Sequence, residues 1–139
     1  MSTAASGLDW LTARPITHRG LHDLAKGVVE NTMGAFEAAM AAGYPIECDL
    51  QISADAEAVL FHDDTLDRVT EATGLVKSLT VAQLQRIRFR HSKECIPTLA
   101  EVLKRVSGRV PLVSELKPQW DGDATLAARS LEVLKGYAG

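Results

Sequence analysis

Four short apolar runs in this chain end alike, each giving way abruptly to histidine or charge: PITH before RG, IECDLQIS, AVLFHDD and VPLVSELK. A strand that breaks off into polar residues delivers those side chains to the rim of a sheet. Amphipathic stretches with helical spacing lie among the runs. The order reads as βα repeated four times, which specifies a parallel sheet with helices packed against it. Ligands of such α/β folds bind at the carboxyl ends of the strands. His18, Arg19, Glu47, Asp49, His62, Asp63, Glu115 and Lys117 are therefore expected at one mouth.

Within PIECDLQIS, Ile46, Cys48, Leu50 and Ile52 alternate with Glu47, Asp49 and Gln51. A period of two puts the polar three on one strand face and the apolar four on the other. Two carboxylates at i and i+2 repel unless water or a cation lies between them. The alternative is an ordinary half-buried strand with its polar face toward solvent.

Helix ends are readable. Asn31 or Thr32 can cap NTMGAFEAAMAAG, whose Met33, Phe36 and Met40 share a face, and Gly43 can close it in the left-handed conformation. Thr80 with Gln83 and Thr98 with Glu101 form capping boxes opening TVAQLQRI and TLAEVLKRV, with Gly108 ending the latter. Asp123 is placed to cap a last helix carrying Leu126, Ser130, Leu131 and Leu134.

Composition narrows the function. The 139 residues have the length of one domain, residues 1–139, and an apolar fraction of 46% is enough for a core. A net charge of -3 with interspersed signs indicates neither nucleic acid nor an anionic membrane surface as partner. Two cysteines, Cys48 and Cys95, are too few for a disulfide framework and read as reduced thiols. The N-terminal MSTAASGLDWLTARP lacks the apolar run of a signal peptide, and no window approaches the roughly 18 apolar residues of a membrane span. A cytoplasmic location and a small-molecule substrate are the expectation.

Residue types then suggest roles. Glu47, Asp49 and Glu115 offer only carboxylate oxygens, which suit Mg²⁺ or Ca²⁺ better than zinc; alternatively Lys117 simply neutralises Glu115 two residues before it. His18 and His62 can both give and take protons near pH 7. Arg19 can bind a phosphate bidentately and Lys117 can supply a point charge. His22 and His91 receive no role, and the basic run RIRFRHSK reads as a solvated helix end.

HRG at 18–20, ENT at 30–32, ECD at 47–49, HDDTLDRVT at 62–70, TG at 73–74, IPTLAEVL at 96–103 and ELK at 115–117 together resemble the bacterial glycerophosphodiester phosphodiesterases. The resemblance implies a (β/α)8 TIM barrel and metal-dependent hydrolysis of glycerophosphodiesters to glycerol 3-phosphate and an alcohol. It implies metal carboxylates at Glu47, Asp49 and Glu115, catalytic histidines at His18 and His62, and phosphate contacts from Arg19 and Lys117. Glu30 and Asn31 match the family's ENT, where Asn31 would orient groups near the first histidine and also begin a helix.

Two departures stand out. Asp55-Ala56 replaces the family's usual Asp-Gly turn, so this turn is expected to be of another type or strained. The larger departure is length, since eight βα units take about 250 residues and this chain holds about four. Half a barrel exposes strand edges and an apolar interior. The expectations are a truncated product of a longer gene, a homodimer pairing two half barrels, or a non-catalytic chain that binds metal or phosphate, or assembles with a partner, without turnover.

Overall fold

The structure, a computed structural model, describes residues 7–139; residues 1–6, which begin the N-terminal stretch read above, lie outside the described residues. In chain order it contains α1 (Trp10–Ala13), α2 (Met33–Ala42), β1 (Ile46–Ile52), β2 (Ala58–Leu60), α3 (Val81–Leu84), α4 (Leu99–Val106), β3 (Leu112–Leu116) and α5 (Thr125–Lys135). Short 3-10 turns occupy Leu24–Lys26 and Val76–Ser78.

The strands form one sheet in the order β2-β1-β3. β3 runs parallel to β1, with Ile46 opposite Leu112 and Asp49 opposite Glu115. β2 runs antiparallel, with Leu50 opposite Leu60 and Ile52 opposite Ala58, so the sheet is not parallel throughout. The reason is the connection. Only Ser53–Glu57 separate the two strands, and a parallel return needs a crossover of a dozen or more residues.

The expected first strand, PITH, contracts to a single parallel bridge between Thr17 and Ile46. Pro15 has no N–H for a ladder, and the backbone leaves the extended region at Arg19, where φ is 60°. Two hydrogen bonds remain, Thr17 N to Pro45 O at 2.9 Å and Glu47 N to Thr17 O at 2.9 Å. They hold His18 beside the start of β1.

Alternation in β1 sorts its side chains as the sequence requires. Ile46, Cys48, Leu50 and Ile52 pack with Phe36 and Ala39 of α2, Leu99, Val102, Leu103 and Val106 of α4, and Leu126 of α5. The opposite face presents Glu47, Asp49 and Gln51. A solvated polar face is overturned here, because Asp49 and Gln51 are each only 1% exposed. A second cluster, Val29, Val59, Phe61, Leu66, Val76, Leu84, Phe89 and Ile96, supports the long segment between β2 and α4.

Both capping boxes form, at Thr80 with Gln83 and at Thr98 with Glu101. Thr32 rather than Asn31 caps α2, and Gly43 closes it with φ 72°. Ser107, with φ 47°, rather than Gly108, caps the end of α4. Asp123 accepts the Thr125 N–H at 2.9 Å just before α5. TVAQLQRI yields only the four residues of α3, and the basic run continues beyond it with Phe89 buried against Phe61, ring centroids 6.2 Å apart.

The Asp55-Ala56 turn is strained as expected: Ala56 adopts φ 60°. A left-handed L-residue costs roughly 1–2 kcal/mol, of which glycine's extra unfolded-state entropy returns part. Ala56→Gly is expected to raise unfolding stability by about 1 kcal/mol, read from urea denaturation midpoints; an unchanged or lower midpoint would remove the strain from this turn.

Candidate functional site

The polar face of β1 meets the end of β3 in a group of carboxylates. Ligand oxygens of Glu47, Asp49 and Glu115 all lie within 4.8 Å of one another. Glu115 ends up there because its strand pairs it with Asp49. On β3 this is the carboxyl end, as expected, but on β1 it is the first half: the residues after Asp49 continue past the site into the hairpin with β2.

Asp49 is the most constrained of the three. Its Oδ2 accepts from Asn31 Nδ2 at 2.9 Å, and its backbone N–H donates to Asn31 Oδ1 at 3.1 Å, closing a two-bond clamp. Asn31 sits at φ 54°, a left-handed position asparagine tolerates. Arg19 Nε lies 3.4 Å from the same Oδ2, an ion pair that falls short of a hydrogen bond. Lys117 Nζ stands 3.1 Å from Oδ1 and donates to Glu115 Oε1 at 2.8 Å. Burial opposes the Lys117 ammonium, but Glu115 and Asp49 outweigh it and hold its pKa above the usual value.

Arg19 is placed by a tight loop. Its own N–H donates to Glu47 Oε2 at 2.9 Å, and its Nη1 donates to Glu30 Oε1 at 2.9 Å. The next residue must be glycine: Gly20 has φ +79°, and a Cβ there would meet the Ala35 Cβ at 2.8 Å. That close approach seats the His18-Arg19 loop on α2. His18 itself is exposed at this rim.

His62 follows β2 and is tied to β1 through Gln51, whose Nε2 donates to the His62 carbonyl at 3.1 Å and to Asp64 Oδ1 at 3.2 Å. Gln119, in the segment after β3, donates to Gln51 Oε1 at 3.2 Å. The His62 ring meets Asp63 through Nδ1 and Oδ1 at 2.6 Å. Hydrogen bonds from Arg68, opposed by burial and aided by His62, hold the Asp63 pKa down at about 2. Asp63 is thus an acceptor at neutral pH, which puts the hydrogen of a neutral His62 on Nδ1 and leaves Nε2 open.

All the sequence-expected residues except His18 are linked by side-chain bonds into this cluster or its His62 arm; His18 is joined through the backbone on either side of it. Asp63 was expected at the mouth without a stated role, and three further members join it: Gln51, Gln119 and Arg68. Gln51 had a signal, since it shares the polar face of β1. Burial of Cys48 pushes its thiol up to about 12, which removes it as a nucleophile. Both cysteines are free.

Could these residues hold a cation? Five carboxylates, Glu30, Glu47, Asp49, Asp63 and Glu115, share three fixed cations, Arg19, Arg68 and Lys117, which leaves two negative charges uncompensated. Asp49 Oδ1 is buried and makes no hydrogen bond of good geometry, its one partner being the Lys117 ammonium at 3.1 Å. An all-oxygen set with this charge deficit fits a hard divalent cation.

A sequence model described as the glycerophosphoryl diester phosphodiesterase family matches residues 18–134. The glycerophosphodiester phosphodiesterase of Caldanaerobacter subterraneus subsp. tengcongensis is 39% identical over 106 residues, covering 71% of this chain and 42% of that protein. The Bacillus altitudinis enzyme of the same name is 41% identical over 87 residues, covering 58% of this chain and 36% of its own. Among solved structures, an Oleispira antarctica phosphodiesterase in complex with sn-glycerol-3-phosphate superposes with TM-score 0.78 at 33% identity, over 88% of this chain and 51% of that one. The Thermotoga maritima glycerophosphodiester phosphodiesterase gives TM-score 0.72 at 29% identity, over 88% and 50%. The chain thus spans less than half the length of these curated relatives and about half of the solved ones. Its fold is of the TIM-barrel type, of which it supplies part, and the chain belongs to the glycerophosphoryl diester phosphodiesterase family.

Proposed function

We propose that this chain carries the residues for metal-dependent hydrolysis of glycerophosphodiesters, yielding glycerol 3-phosphate and an alcohol. The observation that carries the reading is the meeting of Glu47, Asp49 and Glu115 within 4.8 Å, in a cluster with two excess negative charges. The product named for the Oleispira antarctica relative, sn-glycerol-3-phosphate, supports the substrate class.

A divalent cation, Mg²⁺ or Ca²⁺, would be held by Glu47, Asp49 and Glu115, and when bound it supplies charge stabilisation to the phosphate oxygens. The chain's own residues do the rest. Arg19 and Lys117 border the carboxylates as fixed cations and favour an anionic substrate there. Asn31 holds Asp49 in one orientation through two hydrogen bonds. One of His18 and His62 takes the proton of the nucleophile, water or a glycerol hydroxyl, and the other protonates the departing alkoxide. His62 exchanges protons through Nε2, because Nδ1 is engaged by Asp63.

A second reading has its own support: the chain spans about half the length of these relatives, which leaves room for a chain that binds metal or phosphate without turnover. Among the described residues β3 pairs only with β1, so its outer edge is open for a second copy to pair half barrels. Among the described residues no helix is long and apolar enough to cross a membrane.

His18→Ala and His62→Ala are each expected to lower glycerophosphocholine hydrolysis by about 10²-fold or more with the melting temperature unchanged. Activity retained by both variants would sink the acid–base assignment. Titration with Mg²⁺ or Ca²⁺ is expected to raise the melting temperature of the wild-type chain, and Glu47→Gln and Glu115→Gln to abolish the rise. Chelator-resistant hydrolysis would exclude the cation, whereas cation binding without turnover would favour the second reading.

A further inference from the structure

Arg68 makes more contacts with the cluster than any role assigned so far explains. Its guanidinium donates from Nε to Asp63 Oδ2 at 2.8 Å and from Nη2 to Asp63 Oδ1 at 3.0 Å. The same group donates from Nη1 to Glu30 Oε2 at 3.1 Å and from Nη2 to Glu30 Oε1 at 2.6 Å. Two carboxylates from separate segments, Glu30 before α2 and Asp63 after β2, thus grip one planar fork. A lysine cannot reproduce four bonds in that plane.

Each carboxylate is anchored on its far side. Glu30 accepts from Arg19 Nη1, and Arg19 lies against Asp49. Asp63 meets His62 Nδ1. A continuous line of pairs therefore runs from the buried Asp49 through Arg19, Glu30, Arg68 and Asp63 to His62. Burial alone would raise Glu30, but the Arg68 hydrogen bonds and charge, with those of Arg19, hold its pKa below the usual value. As a stabilising ion pair Arg68 should matter little, since its side chain is 46% exposed.

Resting on the functional reading above, we propose that Arg68 is a positioning residue for His62. By fixing both oxygens of Asp63 it presents Oδ1 to Nδ1, which locks the Nδ1–H tautomer and keeps Nε2 for proton exchange with the phosphodiester. Without the fork, Asp63 can rotate, and the ring is free to adopt the tautomer with Nε2–H, which cannot accept a proton there. The orienting partner is then lost while substrate contacts are retained, so the loss falls on kcat rather than KM.

The experiment pairs kinetics on glycerophosphocholine with ¹⁵N-histidine NMR of the tautomers at a pH where the imidazoles are neutral, the His62 signals being assigned by their absence in His62→Ala. Wild type is expected to show His62 as Nδ1–H. Arg68→Gln is expected to populate Nε2–H and to lower kcat by about 10- to 100-fold, KM and melting temperature staying close to wild type. Arg68→Lys is expected to restore both only in part. If Arg68→Gln keeps the Nδ1–H tautomer, the proposal is overturned, whether or not activity falls. Should the wild-type chain turn over no substrate, the functional reading fails, and the tautomers alone decide the link between Arg68 and His62.

Discussion

A carboxylate buried in the middle of the sheet organises this molecule. Asp49 is 1% exposed, and an unpaired charge there would be very costly. The chain meets that cost with groups from three directions: Asn31 from the segment leading into α2, Arg19 from the loop after the Thr17 bridge, and Lys117 from beyond β3. Each partner needs an unusual backbone or a precise register. Asn31 and Arg19 are both left-handed, and Lys117 reaches Asp49 because β3 is registered with Asp49 opposite Glu115. Removing one partner of such a buried charge is far more disruptive than never having built it.

The apolar packing is divided to serve this arrangement. One cluster fastens α2, α4 and α5 to the lower face of β1, which leaves the upper face rigid and free for polar groups. The other lies under the long segment that carries His62, Asp63 and Arg68, with Val59 and Phe61 of the second hairpin arm as its base. A segment with so little regular structure would otherwise be too mobile to hold a guanidinium between two carboxylates.

Much of this could be read from residues alone. Strict alternation in IECDLQI sorted β1 correctly, and the reciprocal Thr-Gln and Thr-Glu pairs located two helix starts, because both signals depend on near neighbours. Alternation does not reveal strand direction, however, so nothing within AVL marks it as antiparallel; the signal is the brevity of Ser53–Glu57, which favours a hairpin. PITH had too little room between Pro15 and the turn at Arg19 to form a strand. Arg68 was illegible for a different reason: its partner Glu30 lies 38 residues away, and nothing local to HDDTLDRVT indicates that contact.

The hairpin gives the Ser53–Glu57 turn an importance out of proportion to its distance from the carboxylates. Its length alone decides which residue of the returning strand falls beside Asp49, and Phe61 N donates to Asp49 O at 3.0 Å as a result. One residue more or fewer would slide the return by about 3.3 Å and exchange its two faces. His62 would be carried away from Gln51, and Phe61 out of its apolar cluster. The turn therefore works as a gauge for the site, set by its count of residues.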